Sequence, residues 1–252
     1  MRLTFLGTGT STGIPQVGCG CEVCRSEDPK NKRYRSAVYI TDGNTRLVID
    51  TPPEFRLQCV REGIQDIDAV IYTHEHADHL FGIDDVRGFT MKTGKTMPLY
   101  AEKRVADCIR TAFPYMFRPP VNPSQIPKIV LNVIRGPFDA GSLHIIPFRV
   151  MHGNLPVLSF RIGDLVYATD LKTVPPESEK YFENAGTLVL DGLRYREHCS
   201  HLNISEALDL VRKYRPGRCY LTHLTHNIDH ETLSRELPHN VYAAYDGLTL
   251  EV

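Results

Sequence analysis

The chain has 252 residues, 42% hydrophobic and 23% charged, values that support a buried core without disulfide staples and exclude disordered and collagen-like classes. Lys+Arg 29 against Asp+Glu 30 leave a formal net charge of -1, which argues against a strongly basic nucleic-acid binder, and no apolar run reaches the roughly 18 residues of a membrane span. Gly7 comes too soon for the apolar core of a signal peptide and the seven cysteines are odd in number, so a reducing, cytoplasmic setting with thiols free for metals is expected.

A strand over 3–6 leads into Gly7-Thr8-Gly9-Thr10-Ser11-Thr12-Gly13, whose third glycine falls one residue late for a dinucleotide fingerprint. Cys19, Cys21 and Cys24 follow, three soft ligands in a short loop and one short of a tetrahedral zinc site. Strands over 37–40 and 47–49 flank the hairpin signal Asp42-Gly43-Asn44, and the second closes on Asp50. Thr51-Pro52-Pro53-Glu54 predicts a helix capped by Thr51 and stopped at Gly63. A strand over 69–72 runs into Thr73-His74-Glu75-His76-Ala77-Asp78-His79. Gly94-Lys95-Thr96 looks like the end of a phosphate loop, but Phe89 stands where that loop needs glycine. Val105, Cys108, Ile109 and Ala112 form a helical stripe, and 113–128, broken by Pro114, Pro119, Pro120, Pro123 and Pro127, predicts a long ordered loop. Strands over 143–150, 157–162, 165–168 and 187–190 follow, with a hairpin signal at Gly163-Asp164. Asn203 and Glu206 make a capping box for a helix facing inward through Ile204, Ala207, Leu208 and Val211. Strands over 218–221, 241–244 and 248–252 end the chain, the last two joined by the hairpin signal Asp246-Gly247. Strands mixed with helices and no linker predict one domain, 1–252, built as an α/β sandwich of two sheets with helices outside.

The ligand-type residues set the chemistry. His74, His76, Asp78 and His79 lie together just past a strand end, and mixed imidazole and carboxylate ligation suits zinc, manganese or iron. A strand over 145–151 ends in His152, one over 165–169 in Asp170 and one over 219–222 in His223. Apolar runs that each end in a ligand are what a metal site along one edge of a sandwich requires, and two ions about 3.5–4 Å apart would clamp a hydrolytic displacement. Asp50 and Asp191 also close apolar strands, where each either fixes the tautomer of an imidazole or caps a turn. Cys59, Cys108, Cys199 and Cys219 lack partners at ligand spacing and are expected in the core. His144, His198, His230 and His239 belong to no constellation and are expected at the surface or in ordinary hydrogen bonds.

Thr73-His74-Glu75-His76-Ala77-Asp78-His79-Leu80-Phe81-Gly82 resembles the H-x-H-x-D-H signature of the metallo-β-lactamase superfamily, with His152, Asp170 and His223 in the expected order. The resemblance implies an αββα sandwich in which His74, His76 and His152 hold one divalent ion and Asp78, His79 and His223 another, with Asp170 bridging. Aspartates at 78 and 170 point away from true β-lactamases and towards phosphodiesterase-like branches. Leu6-Gly7-Thr8-Gly9, the cysteine trio, Ser200-His201-Leu202-Asn203, Leu221-Thr222-His223-Leu224-Thr225-His226 and Tyr245-Asp246-Gly247 are similar to the PhnP-like phosphoribosyl 1,2-cyclic phosphate phosphodiesterase family over nearly the whole chain.

That family implies a structural zinc on Cys19, Cys21, Cys24 and His226, two catalytic zinc or manganese ions, and His201 as proton donor to the leaving group. The helix that starts after Asn203 would also welcome a phosphate at its N-terminus. The expected activity is hydrolysis of a small, cyclic or linear, phosphate diester by a water that Asp78 orients or deprotonates. The expected partner is that substrate alone, with no membrane and no extended nucleic acid; a homodimer is compatible with the sequence. The rivals are a tRNA 3′-processing nuclease, a lactone or thioester hydrolase on the same fold, and a metal-dependent sensor or binding protein without turnover.

Overall fold

Strands that are apolar at every position, such as Leu165-Val166-Tyr167-Ala168, have no face to give to water and must be covered on both sides. The computed structural model, which describes residues 1–118 and 126–252, covers them with two sheets packed face to face and helices outside both. One sheet comprises β1 (Arg2–Gly7), β2 (Ala37–Thr41), β3 (Arg46–Ile49), β4 (Ala69–Ile71), β5 (Met97–Ala101), β6 (Ile129–Val133) and β14 (Thr249–Glu251), in the order β14-β1-β2-β3-β4-β5-β6. The other comprises β7 (Phe138–Ala140), β8 (Leu143–His152), β9 (Leu155–Ile162), β10 (Leu165–Ala168), β11 (Thr187–Asp191), β12 (Arg218–Thr222) and β13 (Val241–Ala243), in the order β13-β12-β11-β10-β9-β8-β7. Each sheet is antiparallel on one side and parallel on the other: β3 to β6 are parallel, as are β10 to β13.

The period of two along each strand sorts the core into layers. Leu47, Ile49 and Ile71 meet Phe160, Leu165 and Tyr167 between the sheets. The alternate residues Val48 and Val70 pack outward with Phe55 of α2 (Phe55–Arg61), Phe89 of α4 (Val86–Thr93) and Ile109 of α5 (Lys103–Ala112). On the opposite face Val166, Leu188 and Leu221 pack with Ala207 and Val211 of α6 (Ile204–Tyr214) and Leu233 of α7 (His230–Glu236). Two short helices complete the set, α1 (Glu22–Arg25) and α3 (Ala77–Leu80). The αββα architecture expected from the sequence is therefore the one observed.

Several local expectations are corrected. Asp246-Gly247 is not a hairpin: β13 and β14 lie in different sheets, and the turn between them carries the chain across the sandwich. The Asp246 carboxylate is used there as a pin, accepting from Thr8 N, Thr8 Oγ1, Tyr34 N and Arg61 Nη1. Thr51 does not cap α2, which starts at Phe55; its hydroxyl instead bonds Tyr72 Oη and Leu80 O beneath the histidine loop. In α5 the buried positions are Val105, Ala106 and Ile109, and Ala112 is exposed. Strands β5, β6 and β7 were not anticipated. Pro98 disguises β5, yet it is tolerated because the pairing with β4 begins only at Leu99. Of the proline-rich stretch, Pro114 opens a 3₁₀ turn over Pro114–Phe117, while Pro119, Pro120 and Pro123 lie outside the described residues. Cys59 and Cys219 are buried as expected and Cys108 half-buried, but Cys199 is exposed. His230 is neither superficial nor fully bonded: it is 6% exposed and its Nδ1 has no partner. Among the described residues no helix is long and apolar enough to cross a membrane.

Candidate metal centre

The parallel strands of both sheets end along one edge, and three of the residues that follow them turn sharply. Asp50, Asp170 and His223 have φ of 65°, 56° and 58°, left-handed values that cost a residue with a Cβ about 1–3 kcal/mol and that cluster at functional sites. The turns aim these side chains back over the strand ends, towards the loop after β4. That loop enters α3, and it is pinned from below by Thr51 N donating to His79 O and Gly82 N to Thr51 O. A Cβ on Gly82 would lie 2.0 Å from Pro52 O, so the close approach needs glycine.

Proton accounting shows what the histidines present to the centre. Thr73 Oγ1 donates to Asp50 Oδ2, so at 3.0 Å it accepts from His74 Nδ1–H. His79 Nδ1–H donates to Asp50 Oδ2 at 2.8 Å, and His152 Nδ1–H to Ser200 O at 2.8 Å. Ser36 Oγ donates to Gly9 O and therefore accepts from His223 Nδ1–H at 3.0 Å. His201 Nδ1–H donates to Asp191 Oδ2 at 2.9 Å. His74, His79, His152 and His223 can thus keep a proton on Nδ1 and offer the Nε2 lone pair, the arrangement that metal ligation requires, whereas His201, held by Asp191 through Nδ1–H, can carry a second proton on Nε2.

The lone pairs converge. Ligand atoms of His74, His76 and Asp170 lie within 4.8 Å of one another, as do those of Asp78, His79 and His223, and those of His152, Asp170 and His201. Asp170 stands between the groups, its Oδ1 3.2 Å from His79 Nε2 and its Oδ2 3.9 Å from both His74 Nε2 and His201 Nε2. His152 packs edge-on against His76 at 5.2 Å and against His201 at 4.4 Å between ring centroids. His74 Nε2 and His79 Nε2 are fully buried without a hydrogen-bond partner, a cost of about 1–3 kcal/mol each that a divalent cation would remove. The donor set of imidazole nitrogens and carboxylate oxygens fits zinc or manganese.

Electrostatics agree with a centre that demands positive charge. Burial presses on Asp170 and Asp78, yet neighbouring histidines hold both below the ordinary carboxylate range. Burial likewise opposes charge on His79, but Asp170, Asp78 and Asp50 outweigh it and raise its pKa well above that of a free imidazole. His74 is held far down by burial and His223 is lowered to about 4 by the same cause, so both are neutral at pH 7. Burial pushes Asp191 up to about 6, and burial also opposes charge on His201, where the Asp191 hydrogen bond and Asp170 prevail and raise its pKa.

A second cluster lies beside the first. His226 Nδ1 is 3.2 Å from Cys19 Sγ and 3.4 Å from Cys21 Sγ, and all four ligand atoms of Cys19, Cys21, Cys24 and His226 fall within 4.8 Å. Bond lengths of about 2.3 Å to sulfur and 2.0 Å to nitrogen make the S···N edge of a zinc tetrahedron about 3.5 Å. The Cys24 N–H and His226 draw the Cys21 thiol down to about 6, towards the thiolate that zinc needs. Arg33, 1% exposed, secures the histidine's loop by donating to Ile228 O at 3.0 Å.

A sequence model for a Beta-lactamase superfamily domain matches residues 45–224, the span that contains every residue of the histidine and aspartate cluster named above except Ser36 and Gly9. The chain belongs to the metallo-β-lactamase superfamily. It is 35% identical to the crystal structure of a diphosphatase from the PhnP family, covering 100% of this chain and 97% of that one at a TM-score of 0.93. It is 41% identical to an octanoyltransferase of Porphyromonas gingivalis over 98% of this chain and 51% of that protein, and 31% identical over 43% of this chain and 40% of the other to coenzyme PQQ synthesis protein B of Methylobacterium radiotolerans. The chain thus spans about half or less of these curated relatives. Zinc-bound PqqB of Methylobacterium extorquens (TM-score 0.77, 18% identity) and human tRNase Z, short form (0.70, 19%) share the fold.

This superfamily member carries the fold of metal-dependent hydrolases, and the residues read from its sequence as ligands lie in three neighbouring groups, in which His152 falls with Asp170 and His201 rather than with His74 and His76. Two refinements come from the structure. Asp50 fixes His79 as expected, but Asp191 serves His201 and no residue in the expected ligand set. At the N-terminus of α6 two of the first three amides are already taken, Ile204 N donating to Arg194 O and Glu206 N to Asn203 Oδ1. The supports Thr73, Ser36 and the Ser200 carbonyl had no sequence signal; only the folded backbone places them against the rings.

Proposed function

We propose that this chain is a dinuclear phosphodiesterase acting on a small, cyclic or linear, phosphate diester. His74, His76 and His152 would hold one ion and Asp78, His79 and His223 the other, with Asp170 shared and zinc or manganese as the metal. The carrying observation is that Nδ1 of His74, His79, His152 and His223 each has a fixed hydrogen-bond partner while the rings gather around Asp170, with Nε2 of His74 at 3.9 Å, Nε2 of His79 at 3.2 Å and Nδ1 of His223 at 3.5 Å from its carboxylate. Bound there, two divalent ions neutralise phosphate oxygens and lower the pKa of a water. Asp78 orients that water and takes its proton as attack begins. His201 delivers the Nε2 proton to the leaving oxygen, while Asp191 on Nδ1 steadies the ring and stabilises its charged form. Cys19, Cys21, Cys24 and His226 would hold a closed, structural zinc that clamps the N-terminal loop. The full-length likeness to a PhnP-family diphosphatase supports phosphate as the group attacked.

A second reading, hydrolysis of a thioester or lactone, is favoured by the likeness to a protein named octanoyltransferase. One panel decides between them. Bis(p-nitrophenyl) phosphate, a nucleoside 2′,3′-cyclic phosphate, p-nitrophenyl phosphate, a lactone and an octanoyl thioester are assayed with metal content measured alongside. Diesters are expected to turn over faster than the monoester; dominant monoester, lactone or thioester turnover would reject the assignment.

A further inference from the structure

At the outer edge of the second sheet, where β13 has no neighbouring strand beyond it, a cavity of about 260 Å³ opens between β13, α7 and the turn that crosses the sandwich. Tyr220, Tyr242 and Tyr245 line it with His230, Ser234 and Leu248. None of the residues proposed as metal ligands reaches it, and among the described residues its wall holds no aspartate, glutamate, lysine or arginine. The volume falls just below the roughly 300–1,000 Å³ of drug-sized ligand sites, which suits a single ring system.

The rings are already arranged. Tyr220 and Tyr242 face one another across the parallel pairing of β12 and β13 and stack at 5.1 Å between centroids, while the His230 ring stands edge-on to Tyr245 at 5.5 Å. His230 is pinned by its backbone, its N donating to Asn31 Oδ1 at 2.9 Å and its O accepting from Ser234 Oγ at 2.7 Å. Its side chain, 6% exposed, keeps Nδ1 buried without a partner, so the fold leaves one hydrogen bond unmet in the wall of a cavity. Burial, with the charges of Lys30 and Arg33 behind it, lowers His230 to about 4, and the imidazole is neutral at pH 7. The same positive field disfavours a cationic ligand, and a wall without a cation offers an anion no ion pair. An uncharged ring with a polar edge meets every one of these features: aromatic faces stack on it, and its edge supplies the missing hydrogen bond.

We infer that this cavity is a binding site for a flat, uncharged heteroaromatic ring of the nucleobase class, held by the tyrosine rings and hydrogen-bonded at its edge by His230. The inference is independent of the phosphodiesterase reading and stands whichever ester the metal centre cleaves. It is tested by titration calorimetry of the full chain with adenosine and guanosine, beside cyclohexanol, tetramethylammonium and benzoate as non-aromatic, cationic and anionic probes. The nucleosides bind and the three other probes do not. Tyr242→Ala weakens nucleoside binding roughly 10–100-fold, the worth of one stacking platform, and Tyr242→Phe retains it. His230→Phe keeps a ring but not the hydrogen bond and weakens binding about tenfold. Tyr242 is 43% exposed on an edge strand, so its variants fold, and circular dichroism confirms it. Three outcomes overturn the inference: no binding of either nucleoside, affinities left unchanged by both Tyr242→Ala and His230→Phe, which would put the base at the metal centre instead, or binding of tetramethylammonium or benzoate as tight as that of the nucleosides.

Discussion

Asp50→Asn is the substitution that most directly tests the proton accounting. Asp50 is fully buried, and its two oxygens accept from Thr73 N at 2.9 Å, Thr73 Oγ1 at 2.8 Å and His79 Nδ1 at 2.8 Å. Asparagine keeps the shape but replaces one acceptor by an NH₂. With the amide oxygen towards His79, the NH₂ faces the Thr73 N–H, leaving two buried donors unsatisfied at about 1–3 kcal/mol each. With the oxygen towards Thr73 N, the NH₂ faces Thr73 Oγ1 and His79 Nδ1, and His79 is driven to the tautomer that hides its Nε2 lone pair. Neutralising a buried carboxylate, whose pKa burial already raises, offsets part of the folding cost but none of the lost orientation. Metal affinity is therefore expected to fall about 10–100-fold, the usual effect of removing a support behind a ligand. A chelator-competition titration with zinc or manganese, beside a thermal melt of the metal-free protein, reads both terms. An asparagine variant that binds metal as tightly as the wild type would refute the argument.

Three further outcomes follow from the geometry. His201→Ala should retain both catalytic ions and lose about a hundredfold or more in turnover of alkyl esters, with a smaller loss for nitrophenolate, which leaves without a proton; loss of a metal equivalent would make His201 a ligand instead. His226→Ala should release one zinc and lower the melting temperature, whereas His223→Ala should abolish activity and keep that zinc; metal analysis separates the two. His230 is lowered to about 4, chiefly by burial with Lys30 and Arg33 adding to it, against about 6.5 unfolded. Between those values the unfolded chain binds a proton that the folded one does not, so stability falls as pH drops from about 6.5 to 4. Urea unfolding across that window should show a shallower decline for His230→Phe than for the wild type, and an unchanged slope would rule the contribution out.

Much of the candidate site could be read before folding because each proposed ligand sits next to a feature with its own local signal. His74, His152, Asp170 and His223 follow apolar strands, and the period-two core that makes those strands also brings their ends to one edge. The capping box at Asn203 is equally local and was realised in full. The misreadings came from residues whose partners are remote in sequence. Thr51 has the look of a helix cap, but Tyr72 and Leu80 claim its hydroxyl, and Asp246 has the look of a hairpin turn but is claimed by Thr8, Tyr34 and Arg61.

The sequence by itself determined the layered fold and the ligand types, since hydrophobic period and side-chain chemistry are properties of neighbouring residues. Only the tertiary structure decided which atom fixes each histidine ring and that Asp191 serves His201. A tautomer is set by the atom hydrogen-bonded to the ring, and that atom comes from a residue remote in sequence. Ser36 and His223 are 187 residues apart along the chain and touch only because two sheets close on one another.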